Sequence, residues 1–207
     1  MLNGNQMLIL AAVYLAAYFL GNISPSTILA RARGIDIKKE GSGNAGTTNA
    51  LRVMGKKAAI ITLVVDILKG VVAVLLGWLA AGQIGAMGCT LAVMLGHVWP
   101  IVFRFKGGKG VATSFGALLA LNPLIALIEL LIVAVATLIS KRMSLGSVTG
   151  IILLPAVAFW RMPEFTGIAV ILAVVMLIKH RENIVRLVHG EEPKLGFLDK
   201  DKKEKNE

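Results

Sequence analysis

The sequence predicts an all-α, polytopic integral membrane bundle of about seven transmembrane helices, the fourth of them short, with the N-terminus outside and the C-terminus cytoplasmic. Two observations predict it. Of 207 residues, 56% are hydrophobic and 16% charged, and the mean hydropathy is +0.76, far too apolar for a water-soluble domain of this length. The Lys and Arg residues sit mainly in short loops beside apolar runs, the pattern that anionic headgroups and the positive-inside rule impose. That placement accounts for the net charge of +10, so the expected partner is the lipid bilayer and not nucleic acid. The single cysteine, Cys89, lies in an apolar run; no intrachain disulfide is available and its thiol is expected to pack.

Residues 7–30 form one long apolar run with no Lys or Arg before it and with Arg31 and Arg33 directly after it. That charge order reads as a retained first span with its N-terminus outside, not as a cleaved signal peptide. Gly21, Asn22, Ser24 and Pro25 interrupt its inner half, and a proline at that depth predicts a kink. Residues 41–52 follow as a polar insert, Gly-Ser-Gly-Asn-Ala-Gly-Thr-Thr-Asn-Ala-Leu-Arg. Gly41, Gly43 and Gly46 allow consecutive backbone N–H groups to turn inward as an anion nest, and Thr47, Thr48 and Asn49 can cap a helix whose N-terminal dipole favours negative charge. Arg52 follows about one turn into that helix, and its fork of donors suits phosphate. The plainer alternative is a membrane-surface turn with Ser, Thr and Asn used only as caps.

A second span, 58–81, carries Asp66 and Lys69, three residues apart on one helix face, where they pair or face a polar cavity. Each costs roughly 2.5 to 3.5 kcal/mol on insertion scales, so the pair needs a reason to be there. The third span, 84–103, has Gly85 and Gly88 for close helix contact and runs through Gly96-His97 and Trp99-Pro100. Residues 104–113 are a second polar insert, with Gly107, Gly108, Lys109 and Gly110 leading into a helix start that includes Thr113. The spacing lacks the upstream glycine and the Ser or Thr after Lys of a nucleotide P-loop, so ATP is not expected; an anion site and an ordinary basic loop both remain open.

Val111–Leu121 is only 11 residues, and at ~1.5 Å per residue it falls well short of a ~30 Å hydrocarbon core. Asn122-Pro123 then predicts a turn and a return helix over 124–139, which keeps Lys141 and Arg142 on the cytoplasmic side, with 145–160 and 165–178 as the last two spans. Under this assignment Arg161 lies outside, Lys69 within the membrane, and every other Lys and Arg in the cytoplasm. Glu129, midway along 124–139, has no partner nearby in sequence and is a candidate by default for intramembrane carboxylates. His180, Asn183 and Arg186 form a third polar cluster; on a continuing helix His180 and Asn183 share a face. Residues 1–190 are read as a single transmembrane catalytic domain and 191–207 as a charged, disordered cytoplasmic tail.

All three polar clusters fall on one side of the membrane, and each offers cations or backbone donors suited to phosphate, so one shared anionic-substrate site is the economical reading. A transporter for phosphate or an organophosphate is the rival; it predicts pseudo-symmetric halves, and no convincing repeat is present. A helical scaffold leaves the glycine and cation clusters unexplained. No set of His, Cys and carboxylates has ligand spacing, so neither metal nor cofactor is expected.

Taken in order, Gly41-Ser42-Gly43-Asn44 through Asn49 and Arg52, Asp66 with Lys69-Gly70, Gly96-His97, Gly107 to Thr113, and His180 with Asn183 and Arg186 together resemble the bacterial PlsY family of acyl-phosphate-dependent glycerol-3-phosphate acyltransferases. The resemblance implies transfer of a fatty acyl group from acyl phosphate to the 1-hydroxyl of sn-glycerol 3-phosphate, giving lysophosphatidic acid and phosphate, in the first acylation step of bacterial phospholipid synthesis. It places the chain in the bacterial inner membrane with its active site facing the cytoplasm, and a monomer suffices as the working expectation. The His-x-x-x-x-Asp pair of other glycerol-phosphate acyltransferases is absent after His97, His180 and His189, which disfavours acyl-CoA chemistry of that type. Ser42, Asn44, Thr47, Arg52 and Lys109, with the backbone of 41–46, are the expected phosphate and oxyanion donors, and His180 and Asn183 the groups that orient the glycerol or the carbonyl. Gly41, Gly43, Gly46, Asn49, Gly107, Gly108, Gly110, Thr113 and Arg186 complete the expected binding set. Lys69, with Asp66, is expected beside the site, and His97 either binds substrate or packs.

Overall fold

The computed structural model describes residues 3–195, and among these the chain is all-helical. It divides into two compact units, Met1–Ala126 and Leu127–Glu207. Among the described residues, four helical segments are long and apolar enough to cross a membrane. Large apolar side chains such as Leu8, Leu79, Leu131, Ile139 and Phe159 stand exposed, while Ala17, Ala30, Ala73 and Ala86 fill the helix contacts. That distribution is the mark of a bundle whose solvent is lipid: small residues let backbones approach and large ones face outward.

In the first unit, α1 (Gly4–Gly21) starts at a reciprocal cap in which Asn3 and Gln6 each accept from the other's backbone N–H at 2.9 Å. The expected kink is a full break: α1 stops at Gly21 and α2 (Pro25–Arg31) restarts at the proline. Asn22 spans the break, donating to Tyr18 O at 2.7 Å and accepting from the Val102 N–H at 3.3 Å. A loop leads to α3 (Thr47–Met54), and Gly55 reverses the chain into α4 (Lys56–Val98).

Helix α4 holds the second and third expected spans in one element, broken only at Ala81 and Gly82, where Gly82 takes φ 55° and ψ −143°, a conformation open to glycine. The two arms fold back on each other. A Cβ at Gly77 would run into Gly85 O, and one at Gly85 into Gly77 O, so both positions must be glycine for the arms to touch. The same fold-back puts Asp66 and Lys69 beside His97. Tyr14 and Tyr18 of α1 donate to the carbonyls of Ile84 (3.1 Å) and Trp99 (2.7 Å), and Trp78 donates to Ala120 O of α5 (3.3 Å). The third span, expected through residue 103, is helical to Val98 and then turns through a short 3-10 segment, Ile101–Phe103, because Pro100 cannot continue the ladder. Helix α5 is Val111–Leu121, the short helix expected.

Asn122 makes the turn at Asn122-Pro123 by accepting the N–H groups of Leu124 (3.2 Å) and Ile125 (3.3 Å) at the start of α6 (Pro123–Ser140). The second unit continues with α7 (Met143–Arg161), α8 (Thr166–Lys179) and α9 (Arg181–Val188). The α8 ladder ends at His180, so the expected continuation is a second short helix and not one unbroken rod. Gly146 and Gly150 bring α7 against α6: a Cβ at Gly146 would meet Thr137 Oγ1, and one at Gly150 would sit 2.9 Å from Glu129 Oε2. Beyond Gly190 (φ 75°), the chain returns, and the Leu195 N–H donates to Lys141 O at 2.8 Å. The expected disordered stretch 199–207 lies outside the described residues.

Candidate active site

The first glycine loop rests on a small apolar cluster of Ala30, Ile37 and Ala45, with Ile35 and Met54 against it. Gly41 (φ 59°) and Gly43 (φ 65°) take the left-handed conformations that the sequence requires of them. Their loop is not an open nest of consecutive donors, however. The Ser42 N–H donates to Asn49 Oδ1 at 2.8 Å and the Gly43 N–H to Glu40 O at 3.0 Å. Asn49, 1% exposed, also donates to Ile37 O (3.3 Å) and Glu40 O (3.0 Å). Its amide is therefore the brace that folds the loop onto α3, which corrects its reading as a cap or a phosphate ligand. Gly46, in extended conformation and without a side-chain cap, precedes α3. The Thr47 Oγ1 is buried and bonded to nothing among the described residues. The first N–H groups of α3 point out of the helix end, as at any helix N-terminus. Ser42 and Asn44 are half-buried beside them, and Arg52 is exposed on α3.

In the second loop, the Gly107 N–H donates to Val98 O (3.2 Å) and the Gly108 N–H to His97 O (3.1 Å). These two glycines are thus not anion donors. They are needed because a Cβ at Gly107 would collide with His97 O and one at Gly108 with His97 Nε2, and the latter would also lie 3.1 Å from Ala45 O. The first loop, the second loop and the His97 ring meet at that point. Lys38, which sequence reasoning passed over, donates to Gly107 O at 2.9 Å and ties the loops further. Gly110 (φ 89°) precedes α5, where Lys109 is half-buried and the Thr113 Oγ1 is buried without a bond among the described residues.

Behind this junction lies a closed ionic network. Lys69 Nζ is 2.8 Å from Asp66 Oδ1 and from His97 Nδ1, and donates to Gly21 O (3.1 Å) and Ile23 O (2.6 Å). His97 Nδ1 is 3.4 Å from the same Asp66 oxygen. Surrounded by a carboxylate, two carbonyls and an imidazole, Lys69 has no N–H left for a phosphate. Its partner Gly21 O is the acceptor that Pro25, lacking an N–H, leaves unpaired four residues upstream.

The second unit holds a different network. The Met176 carbonyl can only accept, so His180 Nδ1, 2.8 Å away, carries a proton. Asn183 Nδ2 donates to Glu192 Oε1 and Arg186 Nε to Glu192 Oε2, both at 2.7 Å. Arg186 therefore spends one face of its fork on a carboxylate that sequence reasoning assigned to the tail. Burial pushes the Glu192 carboxyl upward, but Arg186, the neighbouring Ser144 hydroxyl and Asn183 outweigh it and hold the group below the usual glutamate value. A signal for Glu192 was present: Gly190 permits the reversal that carries a carboxylate back to Arg186.

A helical membrane protein whose two glycine loops converge on a buried histidine, with cations at both loops and orphaned threonine hydroxyls at both helix starts, belongs to the class of integral membrane enzymes that handle anionic substrates. The comparisons make this specific. The family profile described as Glycerol-3-phosphate acyltransferase matches residues 11–190, and the chain belongs to that family, the PlsY acyltransferases. It is 46% identical over 184 residues to the glycerol-3-phosphate acyltransferase of Thermoanaerobacter pseudethanolicus, covering 87% of this chain and 92% of that one. With the Clostridioides difficile enzyme of the same name it shares 45% identity over 193 residues, 89% and 94% of the two chains. Crystal structures of PlsY, an integral membrane glycerol 3-phosphate acyltransferase, superpose with TM-scores of 0.86 for its glycerol 3-phosphate form and 0.83 for its lysophosphatidic acid form, at 34% identity over 91% of this chain and 96% of that one.

Proposed function

We propose that this acyltransferase moves a fatty acyl group from acyl phosphate to the 1-hydroxyl of sn-glycerol 3-phosphate, releasing lysophosphatidic acid and inorganic phosphate. The observation that carries the reading is the junction of the two loops at His97, with the Thr47 and Thr113 hydroxyls, at the starts of the helices that follow those loops, buried and unbonded among the described residues. Such groups favour an anion with several acceptor oxygens. Lys109 and Arg52 supply the positive charge, and Ser42, Asn44 and the backbone at the start of α3 supply neutral donors. In the second unit, His180 and Asn183 are assigned to orienting the glycerol or the carbonyl.

Transfer is direct. The glycerol oxygen attacks the acyl carbonyl carbon, the new ester C–O bond forms as the C–O bond to phosphate breaks, and phosphate leaves carrying the electron pair. Acyl phosphate is already an activated mixed anhydride, so an acyl-enzyme has little to contribute. Cys89 is buried and donates weakly to Val13 O at 3.8 Å, which makes it a poor nucleophile. The hydroxyl proton goes to a substrate phosphate, whose second pKa is near ~6 for a typical phosphomonoester. His180 is the protein alternative.

The topology belongs to the same proposal: seven spans with the two arms of α4 crossing separately, the N-terminus outside, and the loops facing the cytoplasm of a bacterial inner membrane, the chain acting as a monomer. Purified protein given radiolabelled glycerol 3-phosphate should make lysophosphatidic acid with acyl phosphate and not with acyl-CoA; the reverse preference would sink the donor assignment. Intact mass after rapid quench with acyl phosphate alone should show no acyl adduct. Single cysteines at 141 and 161 in a Cys89→Ala background should label from opposite sides of the membrane, and labelling of both from one side would overturn the seven-span topology.

A further inference from the structure

We propose that Lys69, held by Asp66, fixes His97 as the tautomer with its proton on Nε2, and that His97 in this state positions the 107–110 loop against the 41–46 loop. Asp66 and Lys69 are then positioning residues that act through His97. Three observations carry this. First, the network is dry: Asp66, Lys69 and His97 are 1%, 4% and 6% exposed. Second, Lys69 Nζ lies within bonding distance of two carbonyl oxygens, a carboxylate and His97 Nδ1, at 2.6 to 3.1 Å. Nδ1 lies 2.8 Å from an ammonium that has donors and no acceptor, and 3.4 Å from Asp66 Oδ1; an Nδ1–H would face the ammonium at the shorter of the two distances, so Nδ1 accepts, and a neutral imidazole that accepts at Nδ1 carries its proton at Nε2. Third, Nε2 packs at the meeting point of Gly108 with Ala45 O, while the His97 and Val98 carbonyls take the Gly108 and Gly107 N–H groups.

The arrangement explains why charge is kept inside the bundle at all. Lys69 saturates the carbonyls opened by the Pro25 break, Asp66 neutralises it, and the remaining proton sets the histidine. One cation thereby registers the α1–α2 break, both arms of α4 and the second glycine loop with one another. Removing it releases the ring to flip tautomer and the loop to drift, without deleting any group assigned above to substrate.

The test uses the full-length chain in detergent or nanodiscs with ¹⁵N-labelled histidine. Ring ¹⁵N spectra near neutral pH, with His97 assigned by its loss in His97→Gln, should show a neutral His97 protonated at Nε2; Lys69→Met should give mixed tautomers. An Nδ1-protonated ring or an imidazolium in the unaltered protein would overturn the proposal. The kinetic arm rests on the proposed acyl transfer. His97→Leu should raise KM for glycerol 3-phosphate about tenfold with kcat less affected, while His97→Gln, whose amide nitrogen reaches the Nε2 position, should stay within about threefold of the unaltered protein. An unchanged KM in a folded His97→Leu would also overturn the assignment. The ring spectrum of the unaltered protein decides even if that variant does not fold. A chain with the Nε2-protonated ring but no transferase activity would refute the proposed reaction while supporting the positioning.

Discussion

His97 in the first unit and His180 in the second are both buried and both bonded through Nδ1, yet their rings are set in opposite senses. His97 accepts at Nδ1 from a lysine and so carries its proton at Nε2; His180 donates from Nδ1 to the Met176 carbonyl. The partners differ in kind as well. Around His97 an ion pair is shut away from water, whereas the Asn183–Arg186–Glu192 network is built from a short helix and a returning strand of backbone, with Arg186 about one-third exposed. The difference teaches that a buried histidine takes its sense from the partner at Nδ1: a lysine makes it accept, a carbonyl makes it donate.

The largest expected effect tests the closed side. Asp66→Ala leaves a buried ammonium without its counter-charge and should cost about 3 to 5 kcal/mol of stability, read as a lowered thermal midpoint in detergent, whereas Asp66→Leu with Lys69→Met should lose less. Equal losses would mean the pair is not an electrostatic unit. On the substrate side, Arg52→Ala and Lys109→Ala should each lower kcat/KM about ten- to a hundredfold, since a charge-assisted bond is worth roughly 1.5 to 3 kcal/mol. Near-normal turnover of either at low substrate would remove that residue from the site.

His180→Ala should lower kcat by less than about a hundredfold, the lower end of what a general base supplies, and should leave glycerol 3-phosphate affinity unchanged. Near-total loss with intact binding would make His180 the base and sharpen its contrast with His97. Glu192 is held below the ordinary glutamate value, so its contribution to stability is complete above the unfolded glutamate range and is lost as pH falls through its folded value. Glu192→Gln should flatten that acid-side loss in a series of thermal midpoints against pH. Smallest of all, Arg161→Ala should leave activity at the level of the unaltered protein, because Arg161 stacks only on Trp160 at 5.0 Å.

Much of the helix order was legible because apolar runs, prolines and glycines are local signals. Val111–Leu121 and the restart at Pro25 follow from residues within a few positions of the boundary. What was not legible is which donors are already spent. Nothing in the run Gly41 to Asn49 reveals that the Asn49 amide turns back onto Ser42 and Glu40, and nothing near Lys69 reveals that Gly21 O awaits it 48 residues upstream. Glu192 was misjudged for the same reason: composition reads the segment after Gly190 as tail, while its pairing with Arg186 depends on a backbone reversal. Residue type predicted chemistry well and assigned partners poorly.

The reversal at Ala81 and Gly82 bears on how the chain is made. No loop separates the two arms of residues 56–98, and synthesis delivers Asp66 and Lys69 well before His97. The pair must cross into lipid neutralised only by itself and by the Gly21 and Ile23 carbonyls already synthesised in α1 and the break that follows it. If the Pro25 break receives the ammonium as the chain is made, straightening it by Pro25→Ala should slow membrane integration even where the finished protein tolerates the change, and an unchanged integration rate would refute that role.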